Sequence, residues 1–236
     1  MSERLIVATG NKNKMTEIRQ ILGDVDVEIL SMREAGIDVE IIEDGDTFAK
    51  NAEIKAATVA RAAGRMAIAD DSGLVIDCLR GEPGIYSARY LGREASYDLK
   101  NKVLIDRVDD YCRGFSSAGS ALVRTDGSEF IPENSGEYRP GADEDGNPGP
   151  LRAARFVCAC AVAWPDGRTK TIVGTMEGRI AYHQAGQNGF GYDPIFFLPG
   201  FLKTSAELTP EEKNAVSHRG KAFSAMHDYL VKELGQ

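Results

Sequence analysis

Seven residues, Ala67-Ile68-Ala69-Asp70-Asp71-Ser72-Gly73, constrain this chain more than any other stretch. An apolar segment runs straight into two adjacent carboxylates, and such groups are costly to bury unless they are paired or bound. A divalent cation is the expected partner. On a strand, successive side chains point to opposite faces, so at most one of Asp70 and Asp71 faces the surface its neighbours use. The other is expected at the strand end. Ser72-Gly73 then offer a small hydroxyl and a residue free of steric limits on φ, which predicts a tight turn at a strand's C-terminal edge. In α/β sheets that edge is where ligands bind. Read alone, the stretch is equally an ordinary surface turn.

With 236 residues, 42% of them hydrophobic, the chain fits one large domain or two small ones. A single domain over 1–236, with two lobes, is the expectation. No apolar run approaches the roughly 18 to 20 residues needed to span a membrane. Leu5-Ile6-Val7-Ala8 is too short for a signal-peptide core, so a cytoplasmic protein without membrane association is expected. The formal charge of −8 argues against nucleic acid and anionic membranes as partners, because both need a basic footprint. An anionic substrate would need a locally basic or metal-assisted site. Cys78, Cys112, Cys158 and Cys160 show no CxxC spacing, and no histidine lies near them in a zinc-ligand pattern. They read as reduced core cysteines.

From the N-terminus, Leu5 to Thr9 reads as a strand, Gly10 to Asn13 as a loop and Lys14 to Leu22 as a helix with Met15, Ile18, Ile21 and Leu22 on one face. Amides at a helix N-terminus bind anions, and Lys12 and Lys14 add positive charge there. The loop lacks the second glycine and the Ser/Thr of a Walker loop. It is either a phosphate cradle of another kind or a solvated Asn/Lys turn. Val27 to Leu30 reads as a second strand. After an acidic stretch with Glu40, Glu43, Asp44 and Asp46, Thr47 or Asp46 can cap a helix reaching about Ala63. Lys55 lies mid-helix among alanines, either solvent-facing or placed for function. Asp44-Gly45-Asp46-Thr47 suggests the Asp-x-Asp of aspartyl-phosphate phosphatases, but no buried apolar strand leads into it and the Thr comes one residue early.

Leu74 to Leu79 reads as a further strand, Gly81 to Gly84 as a turn, and Tyr97 to about Tyr111 as an amphipathic helix. Ser117 to Thr125 and Arg155 to Trp164 read as antiparallel strands, the latter followed by a Pro165-Asp166-Gly167 turn and a strand over Thr169 to Thr175. Between them, Pro132 to Pro150 is too rich in proline, glycine, serine and acids to build a core. It reads as a flexible surface insertion at 132–150. Asp143 to Asn147 imitates part of a calcium loop, but Pro148 stands where glycine is required and the closing glutamate is missing. In the last third, Gly186 to Pro194 sets three glycines around Phe190, Tyr192 and Asp193. That permits close backbone approach and stacking on a base, or simply a glycine-rich hairpin. Ile195 to Leu198 reads as a strand. Thr209-Pro210-Glu211-Glu212 is a capping box that starts a helix carrying Lys213. Ser217-His218-Arg219-Gly220 breaks it before a final helix, on which His227 reads as a surface or packing residue.

Six ordered motifs carry a resemblance: Thr9 to Lys14, Asn51 to Lys55, Ala69 to Gly73, Pro83 to Arg89, Gly189 to Pro194 and Glu211 to Gly220. Together they resemble the inosine/xanthosine triphosphate pyrophosphatase (Ham1-like) family over nearly the whole chain. The insertion at 132–150 is longer than that family's pattern and puts loop-dependent features such as oligomer contacts in question. The resemblance implies an α/β fold, a two-lobed domain around a long mixed β-sheet flanked by helices. It implies Mg²⁺-dependent hydrolysis of non-canonical purine triphosphates (ITP, dITP, XTP) to monophosphate and pyrophosphate, and a homodimer.

By the same resemblance Asp71 is the catalytic carboxylate and a metal ligand, with Glu43 as second ligand and Asp70 orienting the site. Thr9, Gly10, Asn11, Lys12, Asn13 and Lys14, with Lys55 and Lys213, grip the triphosphate, and Ser72 touches the substrate near the metal. Phe190, Tyr192, Asp193, His218 and Arg219 read the base, and Gly191 is a further substrate-binding residue. A 6-oxo purine offers Arg219 an acceptor, whereas the 6-amino group of adenine sets donor against donor. A Maf-type pyrophosphatase is a rival within enzymes, although its Ser-rich first loop is missing here. A non-catalytic nucleotide sensor is a rival from another class, against which the adjacent Asp70 and Asp71 argue.

Overall fold

The computed structural model describes residues 3–117 and 139–235. Alternating strands and helices open the chain: β1 (Glu3–Val7), α1 (Lys12–Ile21), β2 (Val27–Ser31), α2 (Phe48–Ala63) and β3 (Met66–Ile76). Then come α3 (Tyr97–Ser117), β4 (Ala153–Ala163), β5 (Thr169–Ile180), β6 (Phe196–Leu198), β7 (Lys203–Thr204), α4 (Pro210–Val216) and α5 (His218–Glu233). The strands form one mixed sheet in the order β2-β1-β3-β4-β5-β6-β7. β1 is parallel to β2 and to β3, with Val7 opposite Ile68, while β5, β6 and β7 pair antiparallel. This is the expected α/β class. By contacts the chain divides into two compact units, one of Met1–Gly73, Phe156–Met176 and Asn214–Gln236, the other of Leu74–Arg155 and Glu177–Lys213.

In the first unit, strand alternation sorts the side chains into two cores. Met66 and Ile68, with Leu5, Val7, Cys158 and Cys160, pack against Met15 and Ile18 of α1 and Phe223 and Met226 of α5. Ala67 and Ala69, with Ile6, Ala159, Ala161 and Ala163, pack against Ala52, Ala56, Val59 and Ala60 of α2. Small residues on both sides of the second core let helix and sheet approach closely. Thr47 caps α2, its side chain accepting from the Lys50 amide, and Gly64 ends it in a left-handed conformation.

The expected turn at Asp70–Gly73 does not form. β3 runs unbroken through all four residues to Ile76, and Leu74 to Leu79, expected as a separate strand, is its last part followed by a 3₁₀ turn. Turn-type residues stay extended here because cationic partners on both faces satisfy the two carboxylates, so the chain need not bend outward to solvate them.

In the second unit Arg152 is fully buried. Its guanidinium donates to the carbonyl oxygens of Ile180 (2.7 Å), Ala181 (3.0 Å) and Pro140 (3.0 Å) and to Asp109 of α3. Of the stretch 132–150, residues 132–138 lie outside the described residues. Residues 139–150 are a pinned turn: the Gly149 amide donates to the Gly141 carbonyl (2.8 Å), and Arg179 donates to Asp143 (3.1 Å) and to the Pro148 carbonyl oxygen. Asp143 uses its other oxygen on the amides of Asp145 and Asn147, so the calcium-loop imitation is a self-capped turn. The strand expected over Ser117 to Thr125 falls outside the described residues, apart from Ser117, which ends α3. None of the four cysteines is in a disulfide, and among the described residues no helix is long and apolar enough to cross a membrane.

Candidate active site

β3 continues past the end of β1, so Asp70 to Gly73 project beyond the C-terminal edge of the parallel strands. Because the strand is continuous, Asp70 and Asp71 point to opposite faces. Each meets a different set of charges.

Asp71 shares its face with Ala67 and Ala69, toward α2. Lys55 of α2 is buried, and its Nζ lies 2.9 Å from Asp71 Oδ1 and 2.9 Å from Glu43 Oε2. Asn51, one turn earlier on the same helix face, donates from Nδ2 to Asp71 Oδ2 (3.4 Å) and accepts the Gly45 amide on Oδ1 (2.9 Å). A Cβ on Gly45 would stand 2.7 Å from that Oδ1, so glycine is what lets the acidic loop carrying Glu43 close on the helix. Burial pushes the Asp71 carboxyl above the usual carboxylate range and Glu43 pushes the same way, while Lys55 opposes both. Burial disfavours the charge on Lys55, but Asp71 and Glu43 outweigh it and raise its pKa.

Asp70 is buried on the other face. Its Oδ2 accepts from Lys14 Nζ (2.8 Å), Ser72 Oγ (3.0 Å) and Arg219 Nη2 (3.3 Å). Arg219, at the start of α5, also donates from Nη1 to Glu17 Oε2 of α1 (2.7 Å) and from Nη2 to Ser72 Oγ (3.0 Å). Burial works to raise the Asp70 pKa, but Lys14 and then Arg219 hold it well below the usual range. His218 is buried with its ring stacked on Phe156, centroids 4.9 Å apart and planes 15° apart. Lys14 leaves a helix start capped by Asn11, whose Oδ1 accepts from the amides of Asn13 (2.9 Å) and Lys14 (3.2 Å). The Asn11 amide in turn donates to Thr9 Oγ1 (3.2 Å). Gly10, Asn11, Lys12 and Asn13 are exposed. A cavity of about 870 Å³, the size of a small-molecule site, is lined by Thr9, Gly10, Asn11 and Lys12 together with Met32 and Ile37.

The second unit holds the other predicted group. Asp193 is buried and takes Lys213 Nζ (2.6 Å) and the Phe190 amide (2.8 Å) on Oδ2, and Ser205 Oγ (2.9 Å) on Oδ1. Gly189 has φ +74°, and a Cβ there would collide with the Asp193 carboxylate. Lys213 Nζ lies 5.0 Å from the centre of the Phe190 ring, within cation–π range. Tyr192 is buried, its hydroxyl donating to the Ser87 carbonyl (2.7 Å) and its ring edge-on to Tyr97. The Gly191 carbonyl accepts from Asn101 Nδ2 (3.2 Å).

The structure thus brings Glu43, Lys55 and Asp71 together, separates Asp70 from Asp71, and gathers Lys14, Ser72 and Arg219 around Asp70. Phe190, Asp193 and Lys213 form a second group. Sequence reasoning missed Asn51 as a site residue, although its i, i+4 spacing from Lys55 puts both on one helical face. It also missed Glu17, whose partner lies near the other end of the chain. Among the described residues no group of three or more His, Cys, Asp or Glu side chains is placed to hold a metal. The oxygen pair of Asp71 and Glu43, drawn to one nitrogen, fits Mg²⁺, which accepts one or two carboxylates and completes its shell with water and phosphate oxygens.

The family model described as the Ham1 family matches residues 5–134 and 142–229. The chain is 37% identical over 233 residues to a dITP/XTP pyrophosphatase of Exiguobacterium sibiricum, covering 99% of this chain and 100% of that protein. It is 39% identical over 237 residues to a dITP/XTP pyrophosphatase of Streptomyces coelicolor, covering 98% and 99%. Among solved structures, a HAM1 protein from Coxiella burnetii superimposes with a TM-score of 0.76 at 31% identity, covering 98% of this chain and 99% of that one. The Ham1 protein of Staphylococcus aureus gives 0.74 at 33% identity, covering 98% and 100%.

Proposed function

The chain belongs to the Ham1 family, and from that membership we propose that it is a nucleoside triphosphate pyrophosphatase, splitting non-canonical purine triphosphates such as dITP, XTP and ITP into monophosphate and pyrophosphate. One observation carries the chemistry: two carboxylates, Asp71 and Glu43, drawn to the single ammonium of Lys55. Like charges gathered this way invite a cation, and anhydride cleavage needs positive charge where the leaving pyrophosphate becomes more negative. A magnesium ion held by Asp71 and Glu43 would supply that charge.

The chain's own groups do the rest. Asp71, raised by burial, accepts a proton from the attacking water. Lys55 keeps the two carboxylates from repelling each other and stands ready to meet a phosphate oxygen. Thr9, Gly10, Asn11, Lys12, Asn13 and Lys14 offer amides, a helix N-terminus and ammonium groups to the triphosphate, and Ser72, on the Asp70 face of β3, contacts substrate. His218 and Arg219 read the 6-oxo group. By the family resemblance, Phe190, Gly191, Tyr192, Asp193 and Lys213 contribute to nucleotide recognition, the Asp193 carboxylate holding the backbone amide of Phe190. The protein acts as a cytoplasmic homodimer, as the family resemblance suggests.

The deciding experiment is pyrophosphate release from ITP, dITP, XTP, GTP and ATP with and without Mg²⁺. Turnover of the first three with Mg²⁺, together with loss on chelation, is expected. Equal turnover of ATP, or full activity in the chelator, would refute this assignment.

A further inference from the structure

We propose that Asp70 is a positioning residue that couples the grip on the phosphates to the reading of the base, by holding Lys14 and Arg219 on one carboxylate oxygen. This rests on the function proposed above. Asp70 lies on the strand face opposite Asp71, so it does not share the cation expected between Asp71 and Glu43. Its side chain is wholly buried, and Oδ2 takes the ammonium of Lys14 at 2.8 Å and the guanidinium of Arg219 at 3.3 Å. Ser72 closes the set, donating to the same oxygen and accepting from the same guanidinium nitrogen. Arg219 has a second carboxylate, Glu17. Lys14 pairs with Asp70.

Two cations on one acceptor compete for it. When substrate phosphates draw on Lys14, the charge of Asp70 falls more fully on Arg219 and Ser72 and fixes the guanidinium plane. Base selection therefore tightens as the phosphates are engaged. Asp70 also opposes phosphate binding in the free protein, because the phosphates must take Lys14 from it.

Those two effects have opposite signs, which separates positioning from mere structural damage. Asp70→Asn keeps the shape and removes the charge. Calorimetry with inorganic tripolyphosphate should show tighter binding, by about fivefold, the lower end of usual coupling energies. The ratio of kcat/KM for ITP over ATP should fall by a similar factor, while the thermal midpoint reports whether the fold survives. Glu17→Gln removes only the other anchor of Arg219, and should lower the ITP-to-ATP ratio while leaving tripolyphosphate affinity unchanged. Unchanged or weaker tripolyphosphate binding in folded Asp70→Asn overturns the inference. Should that variant not fold, Lys14→Gln decides: with no ammonium competing for Asp70, the preference for ITP must rise although Lys14 meets only phosphate, and an unchanged or lower ratio overturns the coupling. If the wild-type protein hydrolyses neither nucleotide, it is the proposed function that fails, and the tripolyphosphate comparison still tests Asp70.

Discussion

Lys55 Nζ lies 2.9 Å from Asp71 Oδ1, and this partly buried pair joins the middle of α2 to the strand that leaves the parallel edge of the sheet. Glu43 completes it at the same distance. An ammonium between two carboxylates lets them sit close together in a partly buried place, where two unpaired anions would repel and lose hydration. Asp71→Asn keeps the shape of this site and removes its base, so turnover of dITP should fall by about 10²- to 10⁴-fold. The thermal midpoint should change little, since Lys55 keeps Glu43. Pyrophosphate release and calorimetry on the same preparation check both parts.

Asn51 anchors the loop that carries Glu43 and touches Asp71 as well. Asn51→Ala frees that loop without removing either carboxylate. The Mg²⁺ concentration for half-maximal turnover should rise by about 10- to 100-fold, the usual cost of losing a group that orients a metal ligand. Turnover at saturating Mg²⁺ should recover most of its wild-type value. A titration of rate against Mg²⁺ measures both.

Ala56 is fully buried where α2 meets the alanines of the sheet. Ala56→Leu adds volume that neither surface can accommodate, at a cost of about 1 to 3 kcal/mol. The urea midpoint should fall with an unchanged slope. Activity should fall too, because Lys55 next to it moves with the helix.

Arg219 forks between Glu17 on one nitrogen and Asp70 with Ser72 on the other. Arg219→Lys keeps the charge and loses the fork, so the ITP-to-ATP ratio of kcat/KM should drop by about tenfold, equivalent to about 1.4 kcal/mol. An unchanged ratio in the steady-state assay would remove Arg219 from base selection.

His227 lies far along α5, beside Asp228 (3.1 Å) and Asp24 (2.9 Å). Its hydrogen bond to Asp228 raises its pKa above the ordinary 6.5, against slight burial, and Asp24 adds to the rise. A raised folded-state value means that the contribution to stability is fully present below pH 6.5 and is lost as pH rises through the folded value. Both aspartates are solvent-exposed, so the effect should stay under about 1 kcal/mol. His227→Gln should flatten the thermal midpoint over that pH window and leave turnover unchanged.

Some of the local structure around this site was legible in the sequence, and those parts share a physical origin. The cap at Thr47 and the capping box at Thr209 and Glu212 are each set within one helical turn. Spacing alone reveals them. The turn at Asp70–Gly73 was misread for the same reason: Asp, Ser and Gly favour bends locally, and nothing within four residues announces the ammonium of Lys14, the guanidinium of Arg219 and the ammonium of Lys55 that hold the strand straight.

By itself, then, the sequence determined the α/β order of the first half, the family through its six motifs, and the identity of the acids and bases available. Only the tertiary structure decided which base meets which acid: Lys55 with Asp71 and Glu43 on one face of β3, Lys14 and Arg219 with Asp70 on the other. Backbone alternation sends adjacent side chains to opposite faces. What waits on each face depends on helices packed there from distant parts of the chain, and no local rule carries that information.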